Sequence, residues 1–377
     1  MAAFLSRLAD NAVFQQGGNA FGATAVLGTT DARAVEIVVD GERVFRVWSV
    51  PTGASVQGSV NVLGGHSSNV ISRTCGVLGC PGDPVRGGTI AGGGSSSFAS
   101  ENRVTDHWGT VGGGDANTAG NDNSDGLDAY YAVVAGGRDN TASAAYATIG
   151  GGVHNFATGR NATVGGGDSN IATGDDAIVP GGYSNRADGR SSFAAGRAAR
   201  AAADGCFVWS DSSGGSATCT TENLFLARAK GGFALRTNNA LTTGCIITAG
   251  GGTWSCSSSR DLKKDITAVD TAGVLDRVAR LPVSTWRYRD EASGALHLGP
   301  TAEDFRDAFG LGDSSKDIGL IDAHGVALAA IQGLNAKLEA TLSERDRTIE
   351  AQQRRLDAQA AELAAVKATV ERIAAKR

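Results

Sequence analysis

TIGGGVHNFATGRNA (148–162), TVGGGDSNIATGDDA (163–177) and IVPGGYSNRADGRSS (178–192) repeat one pattern three times. Gly151, Gly166 and Gly181 recur every fifteen residues, as do Asn155, Asn170 and Asn185, and Ala157, Ala172 and Ala187. Val134, Ile149, Val164 and Val179 hold the same register. The series extends backward through VAGGRDNTASAAYA (134–147) and TVGGGDANTAG (110–120), with degenerate copies at NVLGGHSSN (61–69) and TIAGGGSSS (89–97). A fixed short period marks a solenoid. Fifteen residues are too few for a helical hairpin repeat but fit a coil of two short strands and two turns. The glycines supply positive φ or close approach between coils. Asn closes a turn with its side chain, and Val, Ile and Ala point inward. The Gly-Gly-x-Gly-x-Asp spacing of calcium-binding nonapeptide helices is absent, and a flexible linker would not keep three residue types in register.

Composition agrees with a narrow interior. Of 377 residues, 54 are glycine and only 6% are aromatic, yet 41% are hydrophobic. Small apolar side chains suit stacked coils rather than one thick core. A coil with one Val or Ile plus alanines buries little apolar surface, at about 25 cal/mol per Å². Ordering its backbone costs about 1–2 kcal/mol per residue. That shortfall predicts an obligate oligomer. The net charge of −5 gives no electrostatic support for nucleic-acid binding. No apolar run approaches the roughly 18 residues of a membrane span, and MAAFLSRLADNAVF (1–14) lacks a signal-peptide core.

Residues 1–60 are expected to form an N-terminal β domain, the candidate attachment end, with a hairpin at Asp40–Gly41 in AVEIVVDGERVFRVWSV (34–50). The repeats span 61–200, and 201–257 reads as a β-rich transition. From about Asp322 the chain is helical. Leu342, Ile349, Leu356, Leu363 and Val370 fall at heptad position a. Ile331, Leu338, Arg345, Gln352, Gln359, Val366 and Ile373 fall at d, a coiled-coil pattern with polar central layers over 341–377. The cysteines form three close pairs, Cys75/Cys80, Cys206/Cys219 and Cys245/Cys256, open to local disulfides or to free thiols.

Between transition and helix lies SSSRDLKKDI (257–266). Taken locally, it is a helix or strand start capped by Ser258 or Ser259 and followed by solvated charge. Ser258, Lys263 and Ile266 also fit a Ser–x–x–x–x–Lys–x–x–Ile spacing. WRYRDE (286–291), HLGPTAEDFRDAFGLG (297–312) and DAHGVALAAIQGLNAKLE (322–339) follow it. In order and spacing, residues 258–340 resemble the intramolecular chaperone domain at the C-terminus of phage endosialidases, tailspikes and tail fibres. The residue after the serine, often aspartate in that family, is Ser259 here. The repeats, through GGVHNFATGRNA and GGDSNIATGDDA, resemble the head of trimeric autotransporter adhesins, although no anchor barrel follows them.

Together the resemblances imply a mainly β protein with an α-helical C-terminus. They imply a trimeric left-handed parallel β-roll or solenoid, the transition, an α/β chaperone domain and a trimeric coiled coil. They further imply a homotrimeric tail fibre or spike that binds a host receptor, a glycan or surface protein. Its C-terminal domain guides trimerisation and then cuts itself off at the Ser257–Ser258 bond. Ser258 is the implied nucleophile and Lys263 the general base. The implied partners are further copies of the chain and tail or baseplate proteins, without nucleic acid or membrane insertion, in a virion or tail-like particle made in the host cytoplasm. A bacterial trimeric surface adhesin and a polysaccharide-degrading tailspike are the alternatives. For the latter, Asp168, Asp175, Asp176 and Asp188 sit at repeat turns and are expected to face solvent. No cofactor or metal is expected, since His66, His107, His154, His297 and His324 are scattered.

Overall fold

The structure, a computed structural model, describes residues 28–29, 33–52, 55–71, 84–96, 100–123 and 128–375. Cys75 and Cys80 lie outside them. The described chain divides into two compact units that meet in sequence at Ser257 and Ser258.

The first unit is built on a β-solenoid. Each fifteen-residue repeat gives one two-residue strand to each of two sheets. Thr148–Ile149 pairs in parallel with Val133–Val134 and Thr163–Val164. Phe156–Ala157 pairs with Thr141–Ala142 and Ile171–Ala172. Strands this short are marginal alone; here each is held by a coil on either side. The sheets contain 13 and nine strands. Ile149, Val164 and Val179 from one sheet face inward with Ala157, Ala172 and Ala187 from the other, all fully buried. Pairing a branched residue with alanine gives the narrow interior that the composition requires. The parallel ladder runs past residue 200, through Phe207–Ser210 to Phe225–Arg228, so its last coils occupy part of the stretch read as transition. There the glycine markers fade, but stacked Phe193, Phe207 and Phe225 keep the register, with ring centroids 4.4 and 4.7 Å apart.

The repeat's asparagines form a buried ladder: Asn102, Asn117, Asn140, Asn155, Asn170 and Asn185 are all buried. Asn155 Nδ2 donates to Gly151 O (2.9 Å) in its own coil and to Gly167 O (3.0 Å) in the next. Its Oδ1 accepts the backbone N–H of Asn170 at 3.0 Å. Each side chain thus satisfies polar backbone at a turn where strand pairing has stopped. The ladder ends where Ala199 N–H donates to Asn185 Oδ1. Asn155→Ala would remove the partners of the Gly151 carbonyl and of the buried Asn170 N–H and is expected to cost about 2–3 kcal/mol. Gly152 has φ +86°, and a Cβ there would overlap the carbonyl oxygen of Gly167. Gly152→Ala should therefore destabilise at least as much. Thermal unfolding of the two variants against the parent chain checks both.

A three-stranded antiparallel meander leads into the solenoid. Val35–Val39 turns at Asp40–Gly41, both at positive φ (51° and 80°), into Glu42–Thr52, as a two-residue hairpin requires. Ser55–Gly64 then pairs antiparallel with that strand and parallel with Thr89–Ile90. At the other end, Gly232–Arg236, Gly244–Thr248 and Ser255–Cys256 form a small antiparallel sheet.

The second unit contains helices α1 (Thr271–Val278), α2 (Ala302–Phe309) and α3 (Leu320–Ala374), and a strand pair, Ser284–Trp286 with His297–Gly299. Its core is small: Val274, Phe305, Val326 and Ala330. Gly333 of α3 lies against α1, where a Cβ would overlap the Thr271 carbonyl oxygen. Beyond Gly333 no residue of this 55-residue helix is buried.

Candidate functional site

SSSRDLKKDI turns tightly. Arg260–Leu262 forms one 3-10 turn with Ser259 as its N-cap, whose side chain accepts the Asp261 N–H. Lys263 N–H donates to Arg260 O at 3.0 Å and closes the turn. Folding back this way, Lys263 Nζ donates to Ser258 Oγ at 2.8 Å. The local reading of the stretch as a capped start and the contact between Ser258 and Lys263 are therefore both present. Ser259 caps, a task that aspartate also performs, while Ser258 contacts the lysine. Ser258, Lys263 and Ile266 are exposed, Ile266 by 56% of its surface. Hydroxyl and amine are within reach of a proton transfer, with water around both.

On the other side of the Ser257–Ser258 bond, Ser257 is tied to its own sheet. Its N–H donates to Gly244 O at 2.8 Å, and its Oγ reaches Thr242 O (2.9 Å) and Gly244 O (3.0 Å). One residue earlier, Cys256 is disulfide-bonded to Cys245, its direct cross-strand partner. Cys206 and Cys219 form a second disulfide, buried inside the solenoid.

The other residues singled out by sequence are dispersed. Asp175 Oδ1 accepts the Arg160 N–H, and Asp176 Oδ1 accepts from Asn161. Asp188 pairs with Arg186 (2.6 Å) and Arg200 (3.2 Å), and accepts from Thr173. Its carboxyl is held below the usual range: burial opposes this, but the Thr173 and Arg186 hydrogen bonds and the two guanidinium charges prevail. Asp168 accepts from Ser169 Oγ. These carboxylates serve turns and coil-to-coil ties, not one shared cleft. His297 Nε2 lies 2.9 Å from Glu291 Oε2, and its ring stacks on Trp286. Hydrogen bonds from His297, then Ser293, hold the Glu291 carboxyl below its ordinary range. Among the described residues, no group of His, Cys, Asp and Glu could hold a metal ion, and no helix is long and apolar enough to cross a membrane.

A β-solenoid followed by a separate small α/β unit fits a fibre-like protein, and the exposed serine and lysine in contact lie at the head of that second unit. Residues 258–310 match the family described as chaperone of endosialidase. The match begins at Ser258, the first residue of the second compact unit. No curated protein matches the chain.

Proposed function

We propose that the protein is a homotrimeric tail fibre of a phage or related particle, that it binds a receptor on the host surface, and that residues 258–377 chaperone its assembly and then cut themselves away. The coincidence at Ser258 carries this reading: the family match, the unit boundary and the serine–lysine contact all fall at one peptide bond.

Two exposed surfaces support trimerisation. On α3, Leu342, Ile349, Leu356, Leu363 and Val370 repeat every seven residues and are 47–70% exposed. A helix so long does not keep an apolar seam in water. On the solenoid, the 13-stranded sheet points Thr148, Thr163, Ile178, Phe193, Phe207 and Phe225 outward, without a charge in the column. The corresponding column of the nine-stranded sheet carries Arg103, Arg186 and Arg200. The uncharged sheet is the one suited to packing against other copies of the chain, which also offsets the thin interior of each coil.

For cleavage, neutral Lys263 takes the proton of the Ser258 hydroxyl as Oγ adds to the Ser257 carbonyl carbon. The adduct collapses with loss of the C–N bond, and Lys263 returns the proton to the Ser258 nitrogen. Water then hydrolyses the resulting ester, leaving a Ser257 carboxylate and a free Ser258 amine and hydroxyl. Only a neutral amine can act as the base, and burial favours that form. Neighbouring chains in the trimer would supply the burial, so cutting follows assembly.

The chaperone role is tested by expressing residues 1–257 alone beside the full chain. The full chain is expected to give soluble trimer and the truncated chain aggregate. Equal yields of trimer from both would remove the chaperone role.

A further inference from the structure

We infer that the Cys245–Cys256 disulfide, with the hydrogen bonds of Ser257, is a positioning clamp that holds the acyl side of the Ser257–Ser258 bond for self-cleavage; this rests on the self-cleavage reading above. Ser255–Cys256 is a two-residue strand paired only at Cys245↔Cys256 and Ile246↔Ser255. Ser255 and Cys256 are exposed, Trp254 is 49% exposed, and the small sheet has no buried residue. Nothing apolar holds so short a strand in place. What fixes it is the covalent link to Cys245 and, one residue on, the three hydrogen bonds of Ser257 to Thr242 O and Gly244 O. The anchors sit next to the carbonyl that Ser258 must attack, and attack on a carbonyl is steeply sensitive to placement.

The clamp makes cutting depend on the oxidation state of the chain. Two cysteine thiols become the disulfide with loss of two electrons and two protons to a thiol oxidant such as oxidised glutathione. A chain still reduced at Cys245 and Cys256 therefore assembles but is cut slowly. After cutting, the same link keeps the new C-terminal residue fastened to the fibre.

The test follows the appearance of the 1–257 fragment by intact mass in full-length protein, with light scattering confirming that each variant reaches the same assembled size. The double variant Cys245→Ser, Cys256→Ser is expected to cut at least tenfold more slowly than the parent. Parent protein kept in dithiothreitol should slow likewise and recover on addition of oxidised glutathione. Ser257→Ala is expected to slow several-fold, and Ser257→Thr, which keeps the hydroxyl, to recover most of that loss; a merely structural role for the sheet would not produce this rescue. Cutting of the double variant at the parent rate, in particles of equal size, overturns the clamp. Should the parent stay whole under both oxidising and reducing conditions, the self-cleavage reading falls and the clamp falls with it.

Discussion

Ser258→Ala is expected to leave the chain whole under conditions in which the parent separates into 1–257 and 258–377. In the proposed step the Ser258 hydroxyl is the nucleophile, and Lys263 Nζ is 2.8 Å from that hydroxyl. Alanine removes the nucleophile and leaves no route to the ester. Lys263→Ala should slow cutting by about a hundredfold or more, the usual scale of a lost general base. Lys263→Arg should behave similarly, because a guanidinium does not give up its proton. Ser259→Asp should cut like the parent, since aspartate also caps the 3-10 turn. Intact mass reads all four variants. A Ser258→Ala protein that still yields the 1–257 fragment would place the chemistry elsewhere.

The second large effect concerns α3. Ile349→Asp with Leu356→Asp puts charge into two consecutive a layers that flank the polar d residue Gln352. In a monomer both sites already face water, at 56% and 59% exposure, so the variant should fold locally as well as the parent. In a coiled coil each layer would bury carboxylates side by side, which the assembly cannot tolerate. Loss of the trimer by sedimentation is the expected outcome. A variant trimer as stable as the parent would show that the seam is not an interface.

The solenoid was legible because its period is strict. Val164 and Ala172 could be placed inside the coil from spacing alone, since parallel stacking demands identical residues at identical turns. Other parts were hidden for definable reasons. Trp108, Tyr131 and Tyr146 all adopt positive φ (56°, 57° and 61°) and stack on one another with centroids 5.0 and 5.6 Å apart. The same turn position holds Asn161, Asp176 and Ser191 in later coils, residues that accept this conformation more readily than bulky ones. An insertion before Tyr130 also breaks the count, so sequence did not align the aromatics as one column. The coils beyond residue 200 escaped because the Gly-Gly marker is lost while the ladder of inward Val208 and Cys219 persists. For SSSRDLKKDI, the local sequence read as a capped start with solvated charge, and it was the resemblance to the chaperone domain that pointed to Ser258 and Lys263. The capped turn that returns the lysine to the serine, and the hold of Thr242 and Gly244 on Ser257, depend on how the chain folds back and carry no sequence pattern.

Each coil encloses only a valine or isoleucine and an alanine or two, so the account stands on chains that fold by joining. Sedimentation velocity of the purified full-length protein at nanomolar concentration is the most direct check. It should show a single species of three chains, each 38.2 kDa before cutting, that persists on dilution. A folded species of one chain, with cooperative unfolding and unchanged β-sheet content, would contradict the account.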